Sequence, residues 1–259
     1  MKVPSAITVA DLSFRYEGAD RCALNGVSLE IPDGQVTAIL GPNGSGKTTL
    51  LRLLLGVLHP QEGTISLAGR PQRSFSRQER GRWLGLVPQD EHVPFDYSVL
   101  EFVLLGRAPY LGPLEMPGPV DHRIALETLQ TVGLEHLQGR PVPNLSAGER
   151  QLATVARALA QQPRLLLLDE PTAHLDLSNR GRLLDIMRAL ANRGLTVVFT
   201  THDPNLAAAV AGFAILMRQG QILDSGSAAS MLTAHKLSDA YGVPVRLAEV
   251  EGRRLIWMP

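Results

Sequence analysis

"GPNGSGKTT", Gly41 to Thr49, is the stretch on which the reading of this chain turns. It separates two apolar runs, Val36 to Leu40 and Leu50 to Leu58. A short, continuously apolar run is the pattern of a strand buried on both faces, and the longer run after it is expected to be a helix. Gly41-x4-Gly46-Lys47-Thr48 then has the spacing of a loop that wraps a polyphosphate. Glycines let successive backbone N–H groups turn inward around an anion without a Cβ clash. The following helix points its positive end at the same charge. Lys47 adds a cation against the β- and γ-phosphates, and the Thr48 hydroxyl suits Mg²⁺. A plain glycine-rich turn requires none of this. Gly41, Asn43, Gly44, Ser45, Gly46, Lys47, Thr48 and Thr49 are therefore expected to hold a nucleoside triphosphate with magnesium.

A second apolar strand ends in two acids: "LLLLDEP", Leu165 to Pro171. Parallel sheets bind ligands at the carboxyl ends of their strands, so Asp169 and Glu170 are expected beside the phosphates. Asp169 reads as a carboxylate of the magnesium shell, and Glu170 as the group that activates or orients an attacking water. A third stretch, "LSAGER" (Leu145 to Arg150), opens an amphipathic helix. Ser146 and Glu149 have capping-box spacing, which local structure alone would explain. Gly148, however, sits in the first turn, where glycine costs helix stability. It makes sense there if something must approach the backbone closely, as a phosphate at a helix N-terminus would.

The bulk numbers agree with an ordinary folded protein. The chain has 259 residues, 44% hydrophobic and 19% charged, which fits a globular fold. Lys+Arg and Asp+Glu both number 25, so net charge gives no argument for nucleic acid or an anionic membrane as a bulk partner. The single cysteine, Cys22, forms no internal disulfide and fits a reducing compartment. No apolar run approaches the roughly 20 residues that span a bilayer, and the N-terminus lacks the apolar core of a signal peptide.

Strands are expected over Ile7–Tyr16, Leu24–Ile31, Val36–Leu40, Gly63–Ala68, Leu84–Val87, Leu165–Leu168 and Leu195–Thr200, with a hairpin of Phe213–Met217 and Gln221–Asp224 around Gln219-Gly220. Helices are expected over Asp121–Val132, Ser146–Ala160 and Ser178–Ala191. Strands alternating with helices argue for an α/β core with a mostly parallel sheet. Residues 1–88 and 164–259 are expected to form that core, with an N-terminal antiparallel β subdomain. Residues 89–163 are expected to form an inserted helical subdomain, interrupted by a Pro/Gly-rich stretch, Gly106 to Val120, whose composition alone would suggest a flexible linker.

GPNGSGKTT, LSAGE and LLLLDEP, in that order, resemble the phosphate loop, signature and acidic motifs of the ATP-binding cassette ATPases. Other positions share the resemblance. Gln89 in "LVPQD" is similar to the family's Q-loop glutamine, "HLD" (His174 to Asp176) to its D-loop, and His202 in "FTTHD" to its switch histidine. Tyr16 in "LSFRY" is similar to the aromatic that stacks on adenine. The resemblance runs from about Ile7 to Asp224 and implies a P-loop NTPase fold. The signature departs from the common LSGGQ at Ala147 and Glu149 but keeps Ser146 and Gly148, and the D-loop reads AHLD in place of SALD. The resemblance further implies that two copies pack head to tail, so that Ser146 and Gly148 reach the ATP held by the other copy's Lys47 loop. Gln89 would join Thr48 and Asp169 on magnesium, and His202 would hydrogen-bond the γ-phosphate.

Three functions compete. P-loop kinases and switch proteins lack the LSAGE element and the helical insertion. Soluble cassette proteins acting on ribosomes or DNA usually carry two cassettes or long coiled coils, and this chain has neither. The remaining reading is the ATP-hydrolysing subunit of a membrane importer, on the cytoplasmic face of the inner membrane. Its partners would be a second copy, membrane permease subunits and, indirectly, a substrate-binding protein, with no nucleic acid. "VLLGRAPYLGP" (Val103 to Pro113), "TTHDPN" and "AYGVPV" resemble ATPases that energise uptake of iron-siderophores, haem and vitamin B12. Metal-chelate import is therefore expected, with oxyanions such as molybdate, or zinc and manganese, as alternative cargoes. His59, His92, His122, His136 and His235 show no metal-ligand spacing.

Overall fold

The computed structural model describes residues 4–91, 93, 95–173 and 175–259. His92 and His174 lie outside the described residues. In chain order the elements are β1 (Ser5–Phe14), β2 (Leu24–Pro32), β3 (Val36–Leu40), α1 (Lys47–Leu54), β4 (Glu62–Leu67), β5 (Arg70–Pro71), α2 (Arg77–Trp83), β6 (Leu84–Val87) and α3 (Val99–Leu104). They continue with α4 (Pro119–Val132), α5 (Ala147–Ala160), β7 (Leu165–Leu168), α6 (Leu177–Asn192), β8 (Thr196–Thr201), α7 (Pro204–Val210), β9 (Phe213–Arg218), β10 (Gln221–Ser227), α8 (Ala228–Met231), α9 (Ala234–Tyr241), β11 (Arg246–Val250) and β12 (Arg253–Trp257). The fold is α/β. Two compact units divide the chain: residues 1–74 with 190–259, and residues 75–189.

The first unit contains both kinds of sheet. β1 pairs antiparallel with β2 and β4, and β4 with β5. β3 pairs parallel with β8 on one side and β9 on the other, and β10 returns antiparallel along β9. Every residue of β3 and β8 is buried, as expected of strands covered on both faces. The β9–β10 turn is Gln219-Gly220, both at positive φ (50° and 76°), the primed geometry that matches strand twist. A second hairpin, β11–β12, turns at Glu251-Gly252.

In the second unit β6 and β7 pair parallel in register from Leu84↔Leu165 to Val87↔Leu168. The α5 face predicted from periodicity is apolar and buried: Leu152, Val155, Ala156 and Leu159. Three capping boxes open helices here: Ser76 with Glu79, Ser98 with Glu101, and Ser146 with Glu149. The Pro/Gly-rich stretch is not the loose linker that its composition suggests. Its beginning is a 3₁₀ helix, Leu105–Tyr110. A Cβ on Gly106 would lie 2.1 Å from the Arg157 carbonyl oxygen, so glycine allows a close backbone approach there. Arg107 is 4% exposed; it donates to Asp121 Oδ1 (2.9 Å) and to the Ala160 carbonyl (2.7 Å), with Tyr110 under its guanidinium at 3.9 Å.

Two shifts of the expected boundaries bear on the site; the other ends move by at most three residues. β1 stops at Phe14, leaving Tyr16 in the loop beyond it. The helix after the phosphate loop begins at Lys47 and ends at Leu54, because the first turn of α1 is built from the loop's own Lys-Thr-Thr and not from the apolar run.

Candidate functional site

The phosphate loop bridges the end of β3 and the start of α1 in the first unit. Gly44 and Gly46 have φ of 79° and 100°, the left-handed region that glycine occupies without strain. Gly46 is also hemmed in: a Cβ would meet the Ala23 carbonyl at 2.7 Å and Leu24 Cδ2 at 2.8 Å. Gly41 is closer still, with the Met217 carbonyl 2.3 Å from such a Cβ. The β9–β10 turn braces the loop from outside, Gly220 N–H donating to the Ser45 carbonyl at 3.0 Å.

Inside this frame Lys47 is 5% exposed and its ammonium donates to the carbonyls of Gly41 (2.9 Å) and Pro42 (3.2 Å), which arches it back over the loop. Ser45 is 2% exposed, and its Oγ has no hydrogen-bond partner among the described residues. A buried hydroxyl without a partner is costly unless a ligand supplies one. Together with the left-handed glycines and the buried lysine, it makes this loop fit a phosphate anion.

Tyr16, 38% exposed, stands against the start of α1, its hydroxyl 3.2 Å from Thr49 Oγ1 and its ring edge-on to Phe14 (5.0 Å, 89°). An exposed aromatic face beside the phosphate loop suits a purine. His202 follows β8, exposed, in a turn fixed by Asp203 N–H donating to Thr201 Oγ1 (3.0 Å) and by the Asp203 carboxylate capping α7 through Asn205 N–H (2.8 Å). Asn43 and His202 line one cleft of about 450 Å³.

The second unit carries the acids and the signature. Asp169 N–H donates to the Val87 carbonyl at 2.9 Å, so Asp169 extends the β6–β7 ladder, and it is 7% exposed. Glu170 then turns out of the strand at φ 42°, a left-handed conformation rare for a side chain with a Cβ. Gln89 is exposed in the loop two residues beyond β6.

Ser146 is exposed at the N-cap of α5. Its Oγ accepts from Glu149 N–H (3.2 Å), and Glu149 Oε2 accepts from Ser146 N–H (2.7 Å). These bonds, the backbone one foremost, hold the Glu149 carboxyl below its ordinary value. Gly148 is buried, and the group that approaches it within the chain is the Asn179 side chain: a Cβ on Gly148 would meet Asn179 Nδ2 at 2.3 Å. Asn179 is tied in turn to Asp176, its N–H donating to Oδ1 (2.8 Å) and its amide to Oδ2 (3.1 Å). Gly148 and Asp176 thus share one neighbour, Asn179, which the sequence reading missed; the spacing Asp176-x-x-Asn179 signals a helix start but not the contact with Gly148.

The family model described as ABC transporter matches residues 24–173. Among curated relatives, a hemin import ATP-binding protein of Gloeobacter violaceus is 40% identical over 232 residues, covering 87% of this chain and 84% of its own. A molybdate import ATP-binding protein of Haemophilus influenzae is 36% identical over 241 residues, covering 93% and 89%. Among solved structures, an inward-facing structure described as a metal-chelate type ABC transporter superposes with a TM-score of 0.85 at 33% identity, covering 99% of this chain and 97% of that one.

Proposed function

Since the chain belongs to the ABC transporter family, as a nucleotide-binding ATPase coupled to transport, we propose that it powers a metal-chelate importer, with haem or an iron chelate as cargo. The observation that carries the nucleotide chemistry is the phosphate loop, with its left-handed glycines, buried Lys47 and unpartnered Ser45 hydroxyl. The likeness to a hemin import protein and to a metal-chelate type transporter supports the cargo class.

In this proposal Gly41 to Thr49 hold the triphosphate of ATP and Tyr16 stacks on its base. Thr48, Gln89 and Asp169 offer hard oxygen donors of the kind magnesium prefers. Bound there, the ion would neutralise phosphate charge. Lys47 balances charge on the β- and γ-phosphates. Glu170, whose backbone adopts the left-handed conformation just after Asp169, takes the proton of the attacking water or orients that water. His202 hydrogen-bonds the γ-phosphate. Ser146 and Gly148 act on the nucleotide of a second copy packed head to tail, so each site is completed by two subunits. The helical residues 89–163 face permease subunits at the cytoplasmic side of the inner membrane, with a substrate-binding protein beyond them.

Replacing Glu170 by Gln tests the chemistry. ATP affinity should stay within a few-fold of wild type while turnover falls by about 10²–10⁴; undiminished turnover contradicts the role. The 36% identity to a molybdate import protein favours an oxyanion as the second cargo reading. Uptake of labelled haem, ferric chelate and molybdate in cells lacking the chain separates the two: the proposal requires loss of haem or chelate uptake with molybdate uptake intact.

A further inference from the structure

The switch loop is held from outside by the C-terminal part of the chain. The hydroxyl of Tyr241, the last residue of α9, donates to the His202 carbonyl at 2.9 Å. Asn205, in the first turn of α7, pairs its amide with the backbone of Ile256 in β12, as a neighbouring strand would. Asn205 Nδ2 donates to the Ile256 carbonyl at 2.9 Å, and Ile256 N–H donates to Asn205 Oδ1 at 2.8 Å. Ile256 is 4% exposed, so this docking is a packed contact. The same hairpin lines the cleft of about 450 Å³, whose wall Ile256 and Trp257 share with Tyr241, Pro42, Asn43 and His202. Phosphate loop, switch loop and C-terminal hairpin thus surround one space.

His202 is exposed just after β8, and the backbone that carries it sets the point from which its ring projects. That backbone has local ties at Thr201 and Asp203 and ties to distant chain at Tyr241 and Ile256. We propose that Tyr241 and the β11–β12 hairpin docked on Asn205 are positioning elements for His202 and set the rate of γ-phosphate hydrolysis. This deepens the reading of His202 as the group that meets the γ-phosphate, and rests on it. Tyr241 and Asn205 act through the switch backbone, so their loss lowers kcat and leaves nucleotide binding by the phosphate loop intact.

The test uses the full chain with Tyr241→Phe and Asn205→Ala, each alone and in a His202→Ala background. Steady-state ATPase gives kcat and KM, and a fluorescent ATP analogue gives affinity. Each single variant is expected to lower kcat by about 3–10-fold with KM and affinity within about twofold of wild type. In the His202→Ala background the same changes should cause no further loss, the non-additivity expected of residues acting through one group. A kcat equal to wild type in both variants overturns the inference, as do losses that multiply in full with that of His202→Ala. If His202→Ala itself turns over ATP at the wild-type rate, the catalytic reading of His202 falls, and this inference falls with it. His202→Ala inactive beside fully active Tyr241→Phe and Asn205→Ala defeats this inference alone.

Discussion

Gly148 answers to two demands, one inside the chain and one proposed outside it. Within the chain the Asn179 amide occupies the space a Cβ would need, at 2.3 Å. Gly148→Ala should therefore destabilise the fold by about 1–3 kcal/mol through overpacking. Asn179→Ala in the same chain should recover most of that loss, measured by denaturant unfolding. If the double variant regains stability but not ATPase activity, the nucleotide also requires the glycine. Were the glycine there for the nucleotide alone, Gly148→Ala would fold at least as well as wild type, since alanine suits a helix better. Ser146 separates the same way. Ser146→Ala removes the N-cap of α5, costing about 1 kcal/mol, whereas the proposed contact with a second copy's ATP requires a far larger loss of turnover. Both residues are legible in the sequence as a helix start with a misplaced glycine. What sequence does not show is that Asn179 already fills the space beside that glycine, because a contact across 31 positions leaves no periodic trace.

At the scale of elements, the ion pair of Arg107 with Asp121 ties the 3₁₀ segment to α4. The hydrogen bond from Arg107, helped by the Gly118 N–H, holds the Asp121 carboxyl below its ordinary value. A depressed folded-state value means the contribution is complete above the unfolded carboxyl's value, about 3.9, and is lost as pH falls through the folded value below it. Asp121→Asn should lower the unfolding free energy by about 1–3 kcal/mol at pH 7. The gap from wild type should narrow on acidification below about pH 4. Denaturant titrations at pH 7 and pH 3 measure this, and an unchanging gap contradicts it. This segment also shows why composition misleads: Gly106 permits close packing against α5, and Arg107 and Tyr110 anchor the residues that follow it to the end of that helix. β3 and β7 run over the residues their apolar runs predict, since strands buried on both faces have abrupt polar ends. α7 carried a readable signal, Asp203 as N-cap before Pro204. So did α2 and α3, whose capping boxes match that of Ser146. β11–β12 is harder to see. Its strands, RLAEV and RRLIW, mix charged and apolar residues without strict alternation, and its turn places Glu251, not Asn or Asp, at φ 50°.

For the whole molecule, the phosphate loop lies in one compact unit and the signature helix α5 in the other. Residues 24–173, the span of the family match, include both. Cassette ATPases of this family dimerise, and no helix among the described residues is long and apolar enough to cross a membrane. We propose that association of two copies controls hydrolysis. The proposed source of that control is the exposed serine at the tip of α5, supplied by one copy to the nucleotide of another. The specific ATPase rate of the isolated chain, followed across a thousandfold dilution with its association state measured in parallel, tests this most directly. The rate per chain should collapse as the protein becomes monomeric and recover on concentration. A rate per chain that stays constant into the fully monomeric range would show that a single copy completes its own site.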